Sequence, residues 1–150
     1  MLNSTLTQGG GLSNVGTATV LNSTIAENHG VGIANGVAGT VVLLNTLLAL
    51  NADQIPDCFG TVTSLGTNLI GDPTGCTITL QPTDLTGDPA LDTFIDDGTP
   101  GNGHFPLLPG SQAIDAGNRP ACPRTDQLGQ RRIGRCDIGA IRFLDGSDVQ

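Results

Sequence analysis

A chain that repeats itself every roughly 20 residues has few ways to bury its apolar side chains. Residues 9–28, GGGLSNVGTATVLNSTIAEN, and residues 30–51, GVGIANGVAGTVVLLNTLLALN, are two copies of one pattern. Gly11, Leu12 and Asn14 match Gly32, Ile33 and Asn35 at an offset of 21, whereas Gly16, Thr17, Val20, Leu21, Asn22 and Asn28 match Gly39, Thr40, Leu43, Leu44, Asn45 and Asn51 at an offset of 23. The slip locates a two-residue insertion near Gly36 and Val37. A third copy starts at Gly60, Thr61 and Leu65, and the LNST of residues 2–5 repeats that of residues 21–24 as an earlier half-copy.

The period and the residue types select the architecture. The LxxLxLxxN spacing of a leucine-rich repeat is absent, and helical repeats need longer periods and the charged helix formers that are scarce here. Residues 17–21, 41–44 and 77–80 are short apolar runs bounded by Gly or Asn and rich in β-branched side chains, the signature of strands. Short strands closed by Gly and Asn turns at this period predict a parallel β-helix, with coils stacked about 4.8 Å apart. Leu21, Leu44 and Leu65 are then expected to form an internal stack. Asn22 over Asn45, and Asn28 over Asn51, are expected to form ladders that satisfy the backbone of the next coil; ordinary exposed turns are the alternative. Asn3 and Asn22 also begin N-x-Ser/Thr sequons.

Repetition fades near residue 72, and Pro82, Pro89, Pro100, Pro106, Pro109, Pro120 and Pro123 break up regular structure beyond it. The expected organisation is β-helix coils over residues 1–72, final coils and an irregular Pro/Gly-rich cap over 73–143, and a tail over 144–150. The cap is expected to close an open sheet end that would otherwise aggregate. Residues 1–20 would leave such an edge at the other end and invite end-to-end self-association. The chain starts within a repeat, without the basic start and apolar run of a signal peptide. We therefore expect Met1 not to be the start of the full protein, and a signal peptide to lie upstream. No apolar stretch is long enough to span a bilayer as a helix.

Charge and cysteines bound the function. Residues 1–118 hold ten acids and neither Lys nor Arg, while residues 119–150 hold four acids and six Arg, giving −10 and +2 and a net −8. Such a surface repels a polyanion, so nucleic acid is not an expected partner. Cys58 and Cys76 are 18 residues apart, and Cys122 and Cys136 are 14 apart, neither spacing being that of a zinc site. Two local disulfides are the natural pairing, each worth roughly 3 kcal/mol and requiring an oxidising compartment; buried free thiols are the alternative.

In the C-terminal region Asp115, Asp126 and Asp137 recur at spacings of 11 among Arg131, Arg132 and Arg135. Carboxylate–guanidinium pairs could lock a cap that lacks helices. A calcium site on the three Asp is the rival, opposed by the interleaved Arg. No cofactor is expected. A polysaccharide lyase or hydrolase needs a positioned base with a cation or basic group against the substrate, and the repeats supply no Lys or Arg. Aromatic sugar platforms are also scarce, with four Phe and no Tyr or Trp. Phe59 and Phe94 read as packing residues, His29 and His104 as turn residues. Ser111 and Asp115 lie in no nucleophile motif. The acidic loop at Asp96 and Asp97 is the candidate for an extracellular glycan or protein partner.

The runs SLGTNLIGDPTGCTITL (64–80), DLTGDPAL (84–91), LLPGSQAIDAGN (107–118) and CPRTDQLGQRRIGRCDIGAIRF (122–143) together resemble the choice-of-anchor Q domain family. The resemblance covers residues 40–143. It implies the C-terminal part of a right-handed parallel β-helix protein, bacterial and exported, and does not imply an enzyme activity; with the solenoid and the disulfides it leads us to expect a non-catalytic, adhesin-like structural module. Residues 96–106 depart from the family's glycine-rich segment, and Arg142 stands where an acid is common.

Overall fold

The computed structural model describes residues 10–52 and 55–146. The half-copy at residues 2–5 and the end of the 144–150 tail lie outside the described residues. Ten short strands form the regular structure: β1 Leu12–Asn14, β2 Thr17–Leu21, β3 Thr24–Ala26, β4 Ile33–Asn35, β5 Thr40–Leu44, β6 Leu47–Ala49, β7 Cys58–Ser64, β8 Leu69–Ile70, β9 Cys76–Thr77 and β10 Leu85–Thr86. A single turn of 3-10 helix follows at Arg119–Ala121, and no α-helix occurs among the described residues.

Every pairing between these strands is parallel. Each strand lies beside its own counterpart one repeat later: β1 on β4, β2 on β5, β3 on β6. Leu12 sits opposite Ile33, and Thr17 opposite Thr40, so the register carries both sequence offsets. The extra two residues form the turn between β4 and β5, where Val37 is fully exposed. In the third repeat that turn is gone. β7 runs straight through, pairing β4 with its first half and β5 with its second, which joins two ladders into one strongly curled sheet. A second sheet runs β10-β8-β6-β3. Parallel pairing thus continues to Thr86, beyond the point where sequence repetition fades.

The inner core is a set of columns. Ala18, Val41 and Val62 stack across the curled sheet, and Ile25, Leu48 and Ile70 across the second. Ile25, Leu43, Leu48 and Ile70 are completely buried, each contributing roughly 1.5–3 kcal/mol of apolar burial. The expected stack of Leu21, Leu44 and Leu65 is corrected by the structure. These three are in register but on the outward face, with Leu21 47% and Leu65 57% exposed. Strand alternation admits only one parity inside, and Val20 and Leu43 occupy it. Phe59 likewise points outward and is 65% exposed.

The C-terminal segment, residues 107–143, lies as a strap along a side of the stacked strands. Leu47, Leu69 and Leu85 form the outward column of the second sheet. Leu47 and Leu69 are nevertheless inaccessible, because Leu107, Ala113 and Ile138 pack over them in a second apolar cluster. The Gly139 amide donates to the Asn45 carbonyl at 2.9 Å and the Ala140 amide to Thr24 Oγ1 at 3.0 Å, so one strap touches two successive repeats. Two antiparallel bridges, Leu91 with Leu107 and Ile95 with His104, shape the hairpin leading into it, and the Phe94 ring packs tilted against Phe105 at 4.9 Å.

Candidate functional site

Two of the corners are turned through non-glycine residues in the left-handed region: Asn22 (φ 47°), Asn45 (φ 51°) and Thr67 (φ 51°) at one, Glu27 (φ 52°) and Leu50 (φ 58°) at the next. Asn adopts this conformation at low cost because its short amide bonds locally; Glu and Leu there cost roughly 1–2 kcal/mol. Three polar ladders run beside these turns. Asn45 Nδ2 donates to Asn22 Oδ1 at 3.1 Å, and Asn45 Oδ1 accepts from Thr67 Oγ1 at 2.7 Å. Asn28 Nδ2 donates to Asn51 Oδ1 at 2.7 Å, and Asn51 Nδ2 to Asp57 Oδ1 at 2.9 Å and to the Ile25 carbonyl at 3.1 Å. A third ladder, absent from the sequence reading, joins Asn14 Nδ2 to Asn35 Oδ1 at 2.8 Å and Asn35 Nδ2 to the Thr61 carbonyl at 2.7 Å. Its signal was the matched Asn pair at the 21-residue offset.

The first ladder also holds the strap. Asn45 Oδ1 accepts from the Asn118 amide at 2.7 Å, Asn45 Nδ2 donates to the Asn118 carbonyl at 3.1 Å, and Asn22 Nδ2 donates to the Ala121 carbonyl at 3.1 Å. Cys58 is bonded to Cys76, and Cys122 to Cys136. The first bridge ties β7 to β9; the second ties the 3-10 turn to the strap's last stretch. Two disulfides place the chain in an oxidising compartment. No helix of the described residues is long and apolar enough to cross a membrane.

The carboxylates of the strap act differently from expectation. Asp126 Oδ1 accepts from the Leu128 and Gln130 amides at 3.0 and 2.8 Å, and Oδ2 from the Arg142 amide at 3.1 Å. Asp137 Oδ1 accepts from the Asp115 amide at 2.7 Å and Oδ2 from the Phe143 amide at 2.6 Å. Arg132 donates to the carbonyls of Asp137 and Gly139 at 3.3 and 2.9 Å. Orphaned main-chain N–H groups in a strap without strands take the acceptors that sequence spacing assigns to guanidinium groups. Asp115 is exposed, and its amide rather than its carboxylate joins this network. Nor do Asp115, Asp126 and Asp137 converge for calcium: no group of three acidic, His or Cys side chains among the described residues could hold a metal ion. Burial pulls the Arg132 guanidinium below its ordinary pKa, opposed by the charges of Asp126 and Asp137.

Two of the concave features carry opposite charge. A groove of about 1000 Å³ runs over the Glu27 and Leu50 corner and is lined by Glu27, His29, Asp57, Asp72 and Asp88. No Lys or Arg lines it, and Asp57 is held by the Asn51 and Asp72 amides at 2.9 and 2.7 Å. A smaller cleft of about 280 Å³ opens in the strap, lined by Arg119, Arg124, Arg131 and Arg132. Ser111 Oγ donates to the Pro89 carbonyl and stands in no nucleophile arrangement. Asp96 and Asp97 cap their own turn, Asp97 accepting from the Thr99 amide at 2.8 Å.

Burial raises the Asp57 pKa above its ordinary 3.8, against the lowering effect of its amide donors. The folded state therefore binds the proton more readily than the unfolded chain. Stability from this group is fully present below pH 3.8 and is lost as pH rises through the raised value. Urea titrations from pH 4 to 7 are expected to show that decline in the parent and a flatter profile in Asp57→Asn; identical profiles would remove Asp57 as its source.

No protein-family model, curated protein or solved structure matches the chain.

Proposed function

We propose that the chain is a non-catalytic structural module of an exported or cell-surface protein, built as a right-handed parallel β-solenoid whose side is sealed by the C-terminal strap. The observation that carries this reading is the use made of its buried polar side chains. Asn28, Asn35, Asn45, Asn51, Asn68 and Asp57 are all buried and all bond the neighbouring repeat or strap. They stiffen a stack and leave no base poised beside a cation. Right-handed winding follows from the strong preference of parallel crossovers for that hand. The resemblance to the choice-of-anchor Q domain and the two disulfides support a place outside the cytoplasm, on a bacterial surface.

The test is protease shaving of intact cells that make the chain, with disulfide mapping of the released peptides. Release of disulfide-bonded peptides from intact cells is expected; a protected chain with free thiols would overturn the assignment. Unsaturated uronides appearing from acidic polysaccharide would instead make it a lyase. Among the described residues β1, β2 and β3 are edge strands, which supports end-to-end self-association as the mode of assembly. Light scattering after size exclusion is expected to show mass rising with concentration, and a constant monomer mass would count against it. Binding of an extracellular glycan or protein is the second reading, favoured by the arginine cleft.

A further inference from the structure

We propose that the cleft between Arg119, Arg124, Arg131 and Arg132 binds one oxyanion, the sulfate, phosphate or carboxylate of a single sugar-sized ligand. Four of the chain's six arginines meet in this cleft of about 280 Å³, and no carboxylate lines it. The side chains of Arg119, Arg124 and Arg131 make no hydrogen bond or ion pair with any described residue. The acids that could neutralise them, Asp126 and Asp137, are occupied by main-chain amides. Their charges act on Arg132. Arg132 itself keeps a buried Nε without an acceptor.

The arrangement is fixed before any ligand arrives. The Cys122–Cys136 disulfide clamps the two segments that carry the arginines. The Arg132 amide donates to the Arg124 carbonyl at 2.9 Å, and Thr125 bridges Arg131. Arg132 is pinned through the Asp137 and Gly139 carbonyls. Guanidinium groups are planar donors that grip oxyanions bidentately, and a rigid cluster of them loses little freedom on binding. The ten acids of residues 1–118 repel a long polyanion, and the cleft holds little more than one sugar ring. Both point to a single charged group.

The experiment is calorimetric titration of the oxidised chain with sodium sulfate, glucuronate and glucose 6-sulfate at constant ionic strength in chloride. Saturable binding with one site is expected, weakened at least tenfold in R124A/R131A, whose two side chains are exposed. R124K/R131K is expected to recover only part of the affinity, because an ammonium cannot grip bidentately. Glucose 6-sulfate binding tighter than sulfate assigns the site to a sugar-borne anion, and equal affinities assign it to the free ion; either supports the cleft. Absence of saturable binding above the chloride control, equal affinity in R124A/R131A, or binding confined to a long sulfated polymer would overturn it.

Discussion

Replacing Asn45 by alanine is expected to destabilise the chain by about 3–5 kcal/mol, through the loss of five hydrogen bonds at a buried corner. The side chain is completely buried and connects three segments: Asn22 before it, Thr67 after it and Asn118 on the strap. Each buried partner left unsatisfied costs roughly 1–3 kcal/mol, and alanine at a φ of 51° adds about 1 kcal/mol or more. Asn45→Gly separates the two contributions, since it keeps the backbone at ease and loses the same bonds. Urea denaturation is expected to rank Asn45→Ala below Asn45→Gly, and both below the parent. Trypsin offers a second readout. The chain has no Lys, and all six Arg lie at or beyond Arg119, so tryptic cleavage reports the strap alone. Faster cleavage after Arg124 and Arg131 in both variants is expected; unchanged rates would show that the Asn45 contacts do not hold the strap.

Gly60→Ala is expected to cost a further about 3–5 kcal/mol at a site with no polar side chain at all. Gly60 lies in the middle of β7, where one strand replaces the two strands and turn of the preceding repeat. Its φ is 85°, and a Cβ there would overlap the carbonyl oxygen of Asn35, a main-chain atom that cannot swing aside. Gly110 is the control: its φ is 88° but the space around it is open. Gly110→Ala should cost only the roughly 1–2 kcal/mol of the left-handed conformation. Thermal melts giving equal losses for the two variants would show that the close approach to Asn35 is not what selects glycine in β7.

The repeat was legible because parallel strands paired in register one repeat apart write their geometry into the chain as translation. Residues one repeat apart meet the same environment, so Leu12 and Ile33, Thr17 and Thr40, Asn22 and Asn45 could be paired from the sequence before any strand was seen. The slip near Val37 and both cysteine pairs are local in the same sense, each spanning fewer than 20 residues. Which parity of a strand faces inward was not legible. In β6 the run Leu47–Ala49 is buried on both faces, because Ile138 and Ala113 arrive from far along the chain to cover the outer one. That erases the alternation by which a half-buried strand is recognised.

The strap was the least legible part, for a related reason. Spacing in sequence paired the aspartates with the arginines; the fold instead brought unpaired amides of the strap to Asp126 and Asp137 and left the guanidinium groups facing a shared cleft. By itself the sequence determined the period, the register, the polar corners and the disulfide partners, all of which follow from neighbours along the chain or one repeat away. Only the tertiary structure decided where the strap lies, which carboxylate each amide finds and what remains of the arginines' charge. The first depends on contacts between segments far apart in the chain, such as Asn45 and Asn118, and the others on how the strap folds on itself, as where Asp137 meets the Asp115 amide; no periodicity encodes either.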